Sequence, residues 1–166
     1  MTTEMPVAPP PNSDAPSVIA ASEMKHLSGF DFLTAIAKGE LPQPPIATLM
    51  DFRLVQVESG KVVFEGQPGP QHYNPIGSVH GGFAATVLDS VMACSVHSTL
   101  PAGTGYTTVE LKVNFVRAIT IETGTVRAES RVIHQGSRIA TAEGQLYGAD
   151  GKLAAHGTTT CLIFAM

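Results

Sequence analysis

Between Thr107 and Phe115 the chain alternates residue by residue. Thr107, Val109, Leu111, Val113 and Phe115 stand against Thr108, Glu110, Lys112 and Asn114. A period of two is the pattern of a strand with one buried face. Similar β-rich runs lie at 48 to 57, 61 to 68, 123 to 134, 138 to 148 and 152 to 164. Glu58, Ser59 and Gly60 separate the first two, and a short break ending in glycine predicts a hairpin. Asp150-Gly151 predicts another turn between the last two, and Gly103 to Tyr106 reads as a turn before the strand from 107.

Two segments break this pattern. In "SGFDFLTAIAKGELPQPP", Phe30, Leu33, Ile36 and Ala37 recur at helical spacing. Ser28 can cap that helix, and Gly39 and Pro42 end it, so a short surface helix and a proline-bounded linker at 42 to 45 are expected. The second segment is "NPIGSVHGGFAATVLDSVMACSV", residues 74 to 96. On a helical projection its apolar residues cover nearly the whole circumference, which predicts a buried helix over roughly 79 to 98. Strands dominate, most connections are hairpin-length, and no internal repeat is visible. The expected class is therefore α+β, an antiparallel sheet wrapped around one long helix.

Composition narrows the setting. The chain has 166 residues, enough for one domain with a substantial core. Charged residues make up only 14%, against about a quarter in a typical soluble chain, so either much of the surface is uncharged or some of it is buried against another subunit. The formal charge of −4 and the lack of a basic stripe argue against nucleic acid. No apolar run approaches the roughly 18 residues that span a bilayer, so no membrane partner is expected. Residues 1 to 27 read as a disordered Pro- and Ala-rich tail, 28 to 45 as helix and linker, and 46 to 166 as the folded domain. The N-terminus has no basic residue before Lys25 and no apolar core, so a secretory signal is not expected and the location is read as cytoplasmic. Cys94 and Cys161 stand in apolar contexts and read as buried thiols.

One residue of the long helix does not fit its burial. Asp89 stands with Ala85 four residues before it and Ala93 four after. A buried carboxylate is costly unless something pairs with it or uses it. The bland reading is a structural hydrogen bond, or a place at a wet edge of the helix. Against it stands the preceding "HGG", which puts glycines where helix N–H groups are unpaired and the dipole favours negative charge on a ligand oxygen. Gly81 and Asp89 are eight residues apart, about 12 Å along a helix. That is too far for both to act on one carbonyl from one chain, and sensible if a site lies between two chains.

His80 reads either as a ring capping backbone at the helix start or as a site residue, and the two are compatible. A metal is not expected, because no second His or Cys stands at a recognised spacing. Ser78 fits no hydrolase elbow and reads as a capping hydroxyl.

Asn74, then His80-Gly81-Gly82 six residues later, then Asp89 nine after the histidine, resembles the signature of hotdog-fold acyl-CoA thioesterases of the phenylacetate-catabolism type. "GELPQPPIATLMDF" and "VELKVNFVRA" are also similar to that family. The resemblance covers roughly residues 30 to 163. It implies a hotdog fold, sites at a dimer interface, dimers that often pair into tetramers, and no metal or organic cofactor, since CoA is part of the substrate. It implies Asp89 as general base or nucleophile and the Gly81 N–H polarising the thioester carbonyl, with Gly82 beside it. Asn74 and His80 shape the site, and a strand hydroxyl, Thr108 or Thr107, holds water. Arg117 and Arg138 lie near strand ends where the family meets the coenzyme's phosphates, although solvated strand-end charges are the commoner explanation. The rival readings are a non-catalytic acyl-CoA-binding module and a hotdog dehydratase or hydratase. The histidine-to-aspartate spacing does not match the latter.

Overall fold

The computed structural model describes residues 18–19 and 24–166. Most of the expected N-terminal tail, 1–17 and 20–23, lies outside the described residues. Among the described residues the helices α1 (Gly29–Ala37), α2 (Pro45–Leu49) and α3 (Gly81–His97) accompany six strands. These are β1 (Phe52–Glu58), β2 (Lys61–Gly66), β3 (Thr104–Phe115), β4 (Val126–Gln135), β5 (Ile139–Tyr147) and β6 (Leu153–Ala165). They form one antiparallel sheet in the order β1-β2-β4-β5-β6-β3. The sheet wraps α3, the hotdog arrangement expected from the sequence.

α3 forms the centre of the core. Phe83, Val87, Leu88, Val91, Met92 and Val96 are at most 1% exposed. Ser130 of β4 donates to the Val91 carbonyl at 2.7 Å, which ties the sheet to the helix without an unpaired hydroxyl. Gly144 and Gly157 pair across β5 and β6 and open a slot for Met92. A Cβ at Gly144 would stand 2.9 Å from the Met92 Cγ, so only glycine leaves that room.

Four local expectations are corrected. The segment expected as linker and strand contains α2, because Pro45 at the first helical position is pre-set for a helical φ. Asp51, at φ 48°, then turns the chain into β1, which starts at Phe52 rather than Thr48. In α1, Phe32 lies in the core beside Leu33, Ile36 and Ala37, while Phe30 is 39% exposed. Helical spacing alone could not separate two phenylalanines two residues apart. Ser28 does cap α1, accepting from the Asp31 N–H at 3.1 Å. Finally, Tyr106 lies within β3 and not in a turn, since the reversal is completed at Gly103, φ 77°.

The first hairpin turns at Ser59-Gly60, with Gly60 at φ 77° and Glu58 paired to Lys61. β1 is packed against α1, but the outer edge of β3, the other end of the sheet, pairs with no strand among the described residues. Val109, Leu111, Phe115 and the adjacent Val116 are all exposed there.

Candidate active site

The start of α3 is built by its loop. Asn74 Oδ1 accepts from the backbone N–H groups of Ile76 (3.0 Å) and Ser78 (3.3 Å), and its Nδ2 donates to Ser78 Oγ (3.1 Å). Asn74 therefore folds the chain back on itself. Ser78 serves that loop, and the helix cap is His80 instead. His80 has extended backbone, φ −60° and ψ 137°, and its Nδ1 accepts from the Gly82 N–H at 2.8 Å. With Nδ1 accepting, the neutral ring carries its proton on Nε2.

The three first N–H groups of α3 thus have different fates. Gly82 is committed to the His80 ring, and the Phe83 N–H to the His80 carbonyl at 2.9 Å. Gly81, with no intrahelical acceptor available at its position, lines an open cavity of about 380 Å³ together with Asn74, His80, Phe115 and Arg117. A Cβ at Gly81 would stand 3.2 Å from the Phe115 ring, so glycine keeps that N–H approachable. The cavity thus holds a donor at a positive helix end, suited to a carbonyl oxygen that gains negative charge.

Asp89 is half-buried and stands elsewhere. The Thr108 hydroxyl donates to its Oδ1 at 2.9 Å. The one-residue ambiguity between the two threonines is resolved by a β-bulge. Thr108 pairs with Cys161 and Glu110 with Thr160, so Val109 is an extra residue. The bulge switches the alternation, and Thr108 joins Val113 and Phe115 on the helix-facing side while Thr107 is exposed. Three further groups, missed in the sequence, surround the carboxylate. Burial pushes the Cys94 thiol up to about 12, opposed by a hydrogen bond with Tyr106, and the Asp89 charge adds to the rise. Burial likewise raises the Tyr106 hydroxyl and the Cys161 thiol, with the Asp89 charge contributing to both. All three keep their protons at neutral pH. A signal for Tyr106 was present, since it continues the strand two residues before Thr108.

Within one chain the candidate residues therefore fall into two groups. Asn74, His80, Gly81, Gly82 and Arg117 gather at the start of α3, and Asp89 with Thr108 lies about 12 Å further along it. Arg117 is exposed and lines both this cavity and an adjoining one of about 400 Å³ that also includes Lys152. Arg138 is exposed in the β4–β5 loop, where its carbonyl accepts from the Ile163 N–H at 2.8 Å. The Arg117 N–H bonds the Ala154 carbonyl. From Ala154 to Ile163 along β6 is about 30 Å, so the two arginines stand at opposite ends of that strand.

The comparisons with known proteins agree with the fold. The thioesterase superfamily domain matches residues 76–155. The chain is 30% identical over 108 residues to acyl-coenzyme A thioesterase 13 of Homo sapiens, covering 64% of this chain and 76% of that protein. The crystal structure of a phenylacetic acid degradation-related protein from Ralstonia eutropha JMP134 superposes with a TM-score of 0.72. It is 29% identical and covers 79% of this chain and 98% of its own. A Streptococcus mutans UA159 protein, solved bound to acetyl CoA, shares the fold with a TM-score of 0.63 at 22% identity, covering 69% and 90% of the two chains. With the sheet wrapped round its helix and these relatives beside it, the chain is a member of the thioesterase superfamily, a thioester hydrolase of the hotdog fold.

Proposed function

We propose that the chain hydrolyses acyl-CoA thioesters to a free acid and CoA, as a dimer whose sites are each built from two chains. Asp89 and Thr108 of one chain face His80 and Gly81 of its partner. The observation that carries this reading is the split of the candidate residues into two groups too far apart on α3 to share one carbonyl. The unpaired, partly apolar edge of β3 is where a second copy would join, since an open edge invites another strand. The 30% identical human relative bears the name of an acyl-CoA thioesterase, which points to the same substrate class.

The chemistry follows from the groups. The Gly81 N–H donates a hydrogen bond to the thioester oxygen as negative charge grows on it. Asp89 takes a proton from water as the water oxygen bonds the carbonyl carbon, or its own oxygen bonds that carbon first and water later hydrolyses the resulting acyl-Asp89 anhydride to the free acid and the carboxylate. In either route the C–S bond breaks and the CoA sulfur leaves as thiolate, to be protonated. Thr108 orients the Asp89 carboxylate, and Asn74 holds the loop that presents His80 and Gly81. The reading needs no metal or organic cofactor.

Free CoA released from a panel of acyl-CoAs tests the reaction, and binding without release would make the protein a carrier instead. A complementation experiment tests the shared site. Asp89→Ala and Gly81→Pro chains are each expected to be inactive. Proline is tolerated at the first helical position, and the extended backbone of His80 suits the residue before it. In a mixed dimer one site carries both lesions and the other neither. Equal mixing should restore about a quarter of wild-type activity, because half the dimers are mixed and each has one intact site. No recovery in dimers verified as mixed would place the whole site in one chain.

Arg117 borders both cavities, where the coenzyme's phosphates would meet it. Arg117→Ala is expected to raise KM about threefold or more with kcat little changed, and the wild-type KM to rise with salt. An unchanged KM would put the phosphates elsewhere, with Arg138 of the same or the partner chain the next to substitute.

A further inference from the structure

The cavity at the start of α3 has an exposed aromatic wall. Phe115, the last residue of β3, reaches over Gly81: a Cβ there would stand 3.2 Å from the ring's Cε1 and Cζ and 3.5 Å from its Cε2. The far end of the ring therefore lies beside the first N–H of the helix, the donor that no carbonyl of α3 can use. The rest of the ring is open, since Phe115 is 57% exposed although its cross-strand partner Ala155 is buried. The chain just after it is fixed. The Val116 and Arg117 N–H groups both donate to the Ala154 carbonyl, at 2.9 and 3.1 Å.

Phe115, Val116 and Arg117 line the cavity in succession, and Arg117 continues into the adjoining one. Two residues of extended chain cover about 7 Å, so the apolar ring stands between the Gly81 donor and the Arg117 cation. A thioester whose oxygen accepts from Gly81 has two arms, the acyl chain and the sulfur side. The coenzyme's phosphates lie on the sulfur side, so a molecule that reaches Arg117 lays that arm past Phe115. The first atoms of the arm after the sulfur are two methylenes. They have no hydrogen bond to satisfy, and an apolar ring gives them contact and shelter from water. The acyl group then leaves in the other direction, away from Arg117.

We infer that Phe115 binds the coenzyme arm next to the sulfur, and so contributes affinity common to every acyl-CoA rather than selecting among acyl groups. The inference rests on the substrate class and the Arg117 role proposed above. It gives the ring a task other than joining two copies along β3.

Phe115→Ala removes the ring, while Phe115→Leu keeps apolar bulk and carries the test if the alanine variant does not fold. The measurements are the Kd of free CoA by calorimetry, kcat and KM with acetyl-, hexanoyl- and benzoyl-CoA, and the size of each variant in solution. Phe115→Ala is expected to raise the Kd of CoA about fivefold, as lost contact with two methylenes would, and to raise KM for all three substrates by the same factor. kcat should change little, because the arm is held equally before and in the transition state. Phe115→Leu should give the same pattern with about a twofold rise. A changed order of preference among the three acyl groups would put the ring against the acyl chain and overturn the inference. So would an unchanged Kd for CoA, or a fall to half the wild-type size in both variants, which would assign the ring to the contact between copies. Loss of CoA affinity on substitution, in a protein that releases no CoA from any of the three thioesters, would sink hydrolysis and leave this inference standing. Hydrolysis by both variants with unchanged KM would sink this inference alone.

Discussion

Asp89→Asn is expected to lower kcat by at least about 10²-fold while KM and the fold change little. The carboxamide keeps the shape of the side chain, and its oxygen can still accept from Thr108 at the position Oδ1 now holds. What it loses is the capacity to take a proton or to attack carbon. A general base is typically worth roughly 10²- to 10⁴-fold, or about 3 to 5.5 kcal/mol of barrier. The fold should tolerate the change, because among the described residues Asp89 takes part in no ion pair that its loss would break. Steady-state kinetics and a melting curve together decide the matter. Near-normal turnover with a depressed Tm would make Asp89 a structural hydrogen-bonding residue and would end the mechanism proposed here.

The second large effect is on stability and concerns His97, the last residue of α3. Its ring lies between Phe32 of α1, at 5.5 Å between centroids, and Tyr106 of β3, at 5.0 Å. α1 approaches so closely that a Cβ at Gly29 would stand 1.8 Å from the His97 carbonyl oxygen. Burial lowers the His97 pKa from 6.5 to about 4. A lowered value means that the unfolded chain binds the proton more tightly than the folded one. Stability is therefore fully present above pH 6.5 and is lost as pH falls from 6.5 towards 4. Over that window the loss approaches about 3 kcal/mol, at 1.36 kcal/mol per pKa unit. His97→Gln removes the titration while leaving the carboxylates that also respond to acid. The difference in unfolding free energy between wild type and variant should shrink by about that amount between pH 7 and pH 4. A difference independent of pH would show that the ring meets protons as freely in the folded chain as in the unfolded one.

Both predictions depend on α3, and α3 was legible from the chain alone. Its length, its apolar circumference and the histidine and two glycines at its start are local properties. So are the strand runs, and the loop-and-helix spacing from Asn74 through His80 to Asp89 carried the family resemblance. The hotdog architecture follows from those pieces, because hairpin-length connections leave few ways to wrap a sheet round one helix. Composition left a largely uncharged surface or one covered by another subunit as alternatives, and the apolar edge of β3 is where a second copy is proposed to join.

Other features were decided by packing. Phe32 and not Phe30 entered the core, because the neighbours of α1 choose which side of a short helix is buried. Asn74 and Ser78 turned out to hold each other in the loop, and His80 took the capping role that Ser78 had been given. The clearest case is the strand after the helix. Strict alternation put Thr108 on the face opposite Val113 and Phe115. The extra residue at Val109 reversed that, setting Thr108 against Asp89 and opposite Cys161 in the strand register. A period records which residues can share a face, but a bulge belongs to a pair of strands, and only their pairing fixes where it falls. The sequence by itself therefore determined the elements, the motif and the presence of a carboxylate in an apolar helix. The tertiary structure alone decided which hydroxyl meets that carboxylate and which phenylalanine of α1 meets the core. Those are contacts between segments distant along the chain, and no local pattern carries them.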